Sequence, residues 1–189
     1  MYNFNLIFLS ALLGSTSAFA PNNLQPRAQA SSSTALDATI AVIGSSGLLA
    51  SECVYQALQD GDEVVGLTRK PSNVVIPQGS GEDSAGKPLV DPKFTNLGGD
   101  VTKLADVKKV FDEKDIDGVI IALGGKTSDV GDTMLTDGTK NVVECMKEKG
   151  IKRLAVVTSI GAGDSESQAP FFFKVLMWTA MKKIFRVSW

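Results

Sequence analysis

Residues 44–50 read Gly44-Ser45-Ser46-Gly47-Leu48-Leu49-Ala50, with small residues spaced three apart between an apolar run and a helical stretch. That spacing suits a turn that receives a pyrophosphate. Gly44 permits the sharp exit from a strand, and Gly47 lets the backbone approach the anion. Ala50 is small enough for the following helix to pack against the sheet. The helix that opens at this loop presents N–H groups without intrahelical partners to a negative charge, so Ser45, Ser46 and Leu48 join the binding set. The strand-turn-helix setting separates this pattern from an ordinary glycine-rich turn. Farther on, Arg69-Lys70 follows a second β-rich run. Sites for NAD place a carboxylate there, against the ribose 2′-hydroxyl. A guanidinium pairs instead with a 2′-phosphate. The expected ligand is NADP(H), the alternative for Arg69 and Lys70 being a solvated turn.

The remaining inventory excludes much chemistry. Histidine is absent from the 189 residues, which removes Ser-His-Asp hydrolysis, Cys-His proteolysis and histidine-ligated metals. The two cysteines, Cys53 and Cys145, supply neither a disulfide framework nor a zinc site. Both fall on helical stretches, where a buried core thiol is the expectation. No metal site is expected. Net charge is -2 without a broad basic tract, which argues against nucleic-acid binding through phosphate contacts. At 43% hydrophobic and 21% charged residues the chain can build an ordinary core, and its length suits one domain.

Short β-rich runs alternate with helical ones, which implies βαβ units and a parallel sheet. The expected strands are Thr39–Ile43, Glu63–Thr68, Phe94–Leu97, Gly118–Leu123 and Leu154–Thr158. Gly118–Leu123 is apolar without alternation, as when helices cover both sheet faces. Helices are expected over Leu48–Gln59, around Leu104, Val107, Val110 and Phe111, and over Thr136–Lys149, ending at Gly150. Between Pro71 and Pro92 lies a stretch containing Pro77, Gly79, Gly81, Gly86 and Pro88. Loops of this length are either functional or disordered, and with nothing converging on a chemical role, disorder is expected here.

The Gly-x-x-Gly-x-x-Ala spacing resembles the short-chain dehydrogenase/reductase superfamily, in particular its atypical, NAD(P)H-binding members. Further landmarks run from about Thr39 to Phe185: Leu67-Thr68-Arg69-Lys70-Pro71, Gly99-Asp100-Val101-Thr102, Ala122-Leu123-Gly124-Gly125, Asp137-Gly138-Thr139-Lys140-Asn141 and Thr158-Ser159-Ile160-Gly161-Ala162. The resemblance implies a Rossmann-type α/β domain over residues 38–189, its parallel sheet of about five strands in the order 3-2-1-4-5. It implies adenine contact at Asp100, with Val101 beside it, and a cofactor wall of Ala122, Leu123 and Gly124. It also puts Ser159 in the superfamily's catalytic serine region, against the plainer role of a strand-end hydroxyl bonding local backbone. The superfamily's Tyr-x-x-x-Lys is missing: the tyrosines are Tyr2 and Tyr55, and Phe171-Phe172-Phe173-Lys174 carries no phenol. The superfamily's usual length further implies a C-terminal substrate lobe that is not part of this sequence.

Residues 6–13 form a short apolar run followed by small residues, too short for a transmembrane helix of about 20 residues. It matches a signal-peptide core, giving a signal peptide over 1–18. The acid-poor, serine-bearing stretch 19–37 has transit-peptide composition, and Ser17-Ala18-Phe19-Ala20-Pro21 resembles the bipartite plastid leaders of diatoms and related algae. Plastid import is expected, with plain secretion as the alternative. Residues 170–189 mix aromatic and basic side chains. They suit either a helix lying on a membrane or partner protein, or an interior-facing helix lacking its cover, which is the favoured reading. Two functions fit: an NADPH-dependent oxidoreductase acting on a small-molecule acceptor, or a noncatalytic NADPH-binding sensor, scaffold or assembly factor.

Overall fold

Thr39–Ile43 (β1) is the central strand, and Ala41, Val42 and Ile43 within it are wholly buried. The computed structural model describes residues 37–124, 133–158 and 170–172. β1 pairs in parallel with Glu63–Thr68 (β2) on one side and with Gly118–Ile121 (β4) on the other. Phe94–Gly98 (β3) extends the sheet beyond β2, and Leu154–Val156 (β5) extends it beyond β4. The strand order is therefore β3-β2-β1-β4-β5, the expected Rossmann-type arrangement.

Side chains on a strand alternate between faces, and here each face has its own helices. Ala41, Ile43, Val65 and Leu67 pack with Val107, Val110 and Phe111 of helix α2 (Leu104–Glu113), and with Val142, Cys145 and Met146 of helix α3 (Met134–Lys149). Val42 and Val64 face the other way, onto Ala50, Val54, Ala57 and Leu58 of helix α1 (Leu48–Gln59). Burial on both faces explains why β1 and β2 lack polar alternation. Fully burying a Val or Ile side chain contributes roughly 1.5–3 kcal/mol, so this central sheet anchors everything that projects from its ends. Gly150 ends α3 in the left-handed conformation (φ 72°), and the Ile151 N–H donates to the Met146 carbonyl at 2.9 Å.

Some boundaries differ from expectation. β4 stops at Ile121 rather than Leu123, because its partner turns away at Gly44 and leaves no ladder beyond Ile43. β5 consequently stops at Val156, opposite Ile121. α3 begins at Met134, two residues early, and β3 reaches Gly98. Cys145 is buried as expected, but Cys53 is only half-buried.

The stretch from Pro71 to Pro92 is ordered, contrary to expectation. It carries two single 3-10 turns, Pro71–Asn73 and Glu82–Ser84, and an antiparallel bridge between Val75 and Pro88. Val74 is buried, and Leu89 packs on the α1 side of the sheet. Glu52 of α1 fixes the far end, one carboxylate oxygen accepting from the Gly79 N–H (2.8 Å) and the other from the Ser80 hydroxyl (2.6 Å). The glycine and proline content marked irregular backbone. The order comes from an anchor on another element, which local composition does not record.

The leader (through residue 36), Ser159, Phe173 and Trp178 lie outside the described residues. Phe171 and Phe172 are exposed and meet edge to face, 6.1 Å between ring centroids.

Candidate functional site

The loop after β1 is shaped by two close approaches. Gly44 has φ 92°, and a Cβ there would stand 2.7 Å from the Ala122 carbonyl oxygen at the end of β4. Only glycine meets both conditions without strain. The N–H groups of Gly44 and Ser45 both donate to the Leu67 carbonyl, at 2.8 and 3.1 Å, tying the loop to β2. Gly47 is the extended N-cap of α1, and its N–H closes the turn onto the Gly44 carbonyl at 2.8 Å. A Cβ at Gly47 would lie 3.2 Å from that same carbonyl oxygen. No side chain caps α1, so the backbone N–H groups of its first turn remain for an anion.

The loop forms one wall of a cleft of about 580 Å³ across the C-terminal ends of the strands. Gly44, Ser46, Gly47 and Leu48 line it from the loop, Arg69 from the end of β2, and Asp100 and Val101 from the segment after β3. Ala122, Leu123 and Gly124 line it beyond β4. Ten of the residues expected at the site are thus gathered around one opening. Ser45 and Lys70 are not among the lining residues. Ser45 is fully buried, and its hydroxyl donates to Asn96 Oδ1 at 2.7 Å, behind the loop. Lys70 is exposed beyond the lining.

The structure adds Leu49, Leu67, Thr68, Gly99, Met134 and Val157 to the lining. Thr68 had a signal, its place beside Arg69 at a strand end. Its hydroxyl shares a 2.5 Å hydrogen bond with that of Ser46. Gly99 also had one, its place in the Gly99-Asp100-Val101-Thr102 run; a Cβ there would stand 2.9 Å from Asp106 Cβ, so the backbone must pass close to α2. Met134 and Val157 carried none, because their position depends on tertiary packing alone.

Asp100 is held by its own turn. One carboxylate oxygen accepts from the Thr102 N–H (3.0 Å) and the Thr102 hydroxyl (2.8 Å), while the Asp100 N–H donates to Asp106. The Thr102 N–H first, and then its hydroxyl, hold the carboxyl below the usual carboxylate range. Val101 is fixed from above: its carbonyl accepts from Asn141 Nδ2 at 2.9 Å, and a Cβ on Gly138 would collide with its side chain at 2.8 Å. Burial pushes the thiols of Cys53 and Cys145 up, away from nucleophilic chemistry. Tyr55 lies on α1, where it lines a separate recess with Gln56, Gln59 and Ser80. Its phenol is not part of the cleft.

The arrangement fits a dinucleotide. It offers glycine backbone and a helix N-terminus for a pyrophosphate, a guanidinium at the β2 end, and an apolar wall of Leu123, Met134 and Val157 at the other. Solved structures share the fold. The chain is similar to ChuY, an anaerobillin reductase from Escherichia coli O157:H7, at 19% identity over 78% of this chain and 63% of that one, with a TM-score of 0.54. It is similar to the oxidoreductase YlbE from Lactococcus lactis at 14% identity over 78% and 60%, with a TM-score of 0.56. UDP-glucose 4-epimerase from Bifidobacterium longum, in complex with NAD+ and UDP, aligns at 23% identity over 64% and 37%, with a TM-score of 0.50. The chain thus spans from 37% to 63% of these proteins' lengths, and at such identities the likeness is one of fold. Residues 44–186 match the NAD(P)H-binding family, from the first glycine of the loop onward. With three quarters of its length matched and the glycine loop, cleft and strand order in place, the chain belongs to the NAD(P)H-binding family.

Proposed function

We propose that the chain is the cofactor-binding part of an NADPH-dependent oxidoreductase that reduces a small planar acceptor. The observation that carries this is the placement of Arg69 on the same cleft as the Gly44–Ala50 loop. Among the described lining residues the only carboxylate is Asp100, which stands after β3 and is engaged by Thr102. No described lining residue at the β2 end carries a carboxylate to repel a 2′-phosphate, and Arg69 brings a guanidinium to that end. The dinucleotide supplies the hydride; the chain binds and orients it.

The chain's own contribution to proton transfer sets the acceptor class. The chain has no histidine, and Tyr55 lines a separate recess, so among the described residues neither imidazole nor phenol serves the cleft. Ser159 remains the candidate hydroxyl. A quinone or flavin takes its protons from water and suits such a site better than an aldehyde or ketone. Full-length protein mixed with NADPH and a panel of quinones, flavins and simple carbonyl compounds is expected to oxidise NADPH with the first two groups. Turnover of carbonyl compounds alone would overturn this acceptor class. Tight NADPH binding without turnover of anything would favour the second function, a noncatalytic sensor, scaffold or assembly factor, which the missing Tyr-x-x-x-Lys also supports.

We further propose a plastid location, reached through a signal peptide and transit peptide, with plain secretion as the alternative. The support is the apolar run at 6–13 and the Phe19 junction. A fluorescent fusion to residues 1–37 is expected in the plastid, with Phe19→Ala arrested earlier in the secretory route. Import unaffected by that substitution would contradict the role given to Phe19.

A further inference from the structure

Arg69 projects from a turn that is held at both ends, and both holds lead to the glycine loop. On its N-terminal side, Thr68 is buried and its hydroxyl bonds that of Ser46. On its C-terminal side, the Pro71 carbonyl accepts from Asn96 Nδ2 at 2.9 Å. The Pro71 ring lies against Gly98, where a Cβ would come within 3.1 Å of it. Asn96 then uses its other amide atom, Oδ1, to accept from the buried Ser45 hydroxyl. The two serines of the loop therefore face opposite ways. Ser46 reaches β2 directly, while Ser45 reaches the turn after β2 through Asn96.

Room for this second link is built into the sheet. A Cβ on Gly66 would stand 2.5 Å from Asn96 Oδ1 and 2.9 Å from the Ser45 side chain. Glycine at that position in β2 opens the passage that Asn96 and Ser45 occupy. The link serves no packing purpose that an apolar pair could not serve; its result is a fixed distance between the loop and the turn carrying Arg69.

We infer that Asn96 and Ser45 are positioning residues for Arg69, and that they set discrimination between NADPH and NADH without touching the cofactor. This rests on the proposal that Arg69 meets the 2′-phosphate. Holding the turn in place spares the guanidinium the cost of ordering on binding, so loosening it weakens only the ligand that uses the guanidinium.

The test is calorimetric titration of full-length protein with NADPH and NADH. Asn96→Leu keeps the branched shape and neutrality while removing both amide bonds. It is expected to weaken NADPH about three- to tenfold, as loss of one or two ordinary hydrogen bonds would, and to leave NADH within about twofold. Ser45→Ala, which removes one bond and creates no clash, is expected to shift selectivity in the same direction by less, and it decides the matter if Asn96→Leu does not fold. Combined with Arg69→Ala, Asn96→Leu is expected to add no further loss of NADPH affinity. Equal weakening of both dinucleotides, or an undiminished loss in the Arg69→Ala background, would make the link merely structural and overturn the inference. If Arg69→Ala alone leaves NADPH binding unchanged, the 2′-phosphate proposal itself falls, and the inference with it.

Discussion

Gly44→Ala is expected to destabilise the folded chain by about 2–5 kcal/mol, the sum of backbone strain and overpacking. Two independent costs meet at this residue. Its φ of 92° lies where an L side chain is strained, and the added Cβ would stand 2.7 Å from the Ala122 carbonyl oxygen. That oxygen belongs to backbone leaving β4, so it cannot swing aside as a flexible side chain would. Relief requires shifting a loop that is also tied to β2 through the bonds from Gly44 and Ser45 to the Leu67 carbonyl. Gly124→Ala is the matched control, since among the described residues a Cβ there meets nothing within 4 Å. It is expected to change stability by no more than about 1 kcal/mol. Urea unfolding of both variants, read as the shift in midpoint at constant slope, measures the difference. A Gly44→Ala protein as stable as wild type would mean the loop does not make this approach.

Arg69→Ala is expected to weaken NADPH binding by roughly tenfold to a hundredfold, the loss of a charge-assisted hydrogen bond of about 1.5–3 kcal/mol. NADH, which lacks the 2′-phosphate, should bind almost as before. Gly47→Val is the complementary variant and should weaken both dinucleotides. A branched side chain there would press on the Gly44 carbonyl, 3.2 Å from its Cβ, at the N-terminus of α1. A change in the phosphate turn acts on what the two cofactors share, whereas Arg69 acts on what distinguishes them. Equal loss of NADH and NADPH in Arg69→Ala would show that Arg69 supports the turn rather than the ligand.

The strands and helices were legible because their signals are local. Ala41, Val42 and Ile43 form an apolar run that only a two-faced sheet can bury, and Val107, Val110 and Phe111 mark the inner face of α2. The glycine loop was legible because its small residues recur at a fixed spacing between an apolar strand run and a helical run. What the sequence concealed depends on partners distant along the chain. Glu52 orders Gly79 and Ser80 from 27 and 28 residues away, so a loop rich in glycine and proline resembled a disordered one. Ser45 and Ser46 are adjacent and chemically identical, yet one is buried against Asn96 and the other lines the cleft. Asn96 of β3, 51 residues from Ser45, and Thr68 of β2, 22 residues from Ser46, distinguish them. Met134 and Val157 reach the cleft because α3 begins and β5 ends there, which no motif announces.

The central claim is that this cleft takes NADPH in preference to NADH, with the glycine loop receiving the pyrophosphate and Arg69 the 2′-phosphate. Calorimetric titration of the folded wild-type chain with each dinucleotide tests it most directly. The expected result is one site per chain with NADPH bound at least about tenfold more tightly, matching one charge-assisted hydrogen bond. NADH bound as tightly as NADPH, or more tightly, would contradict it.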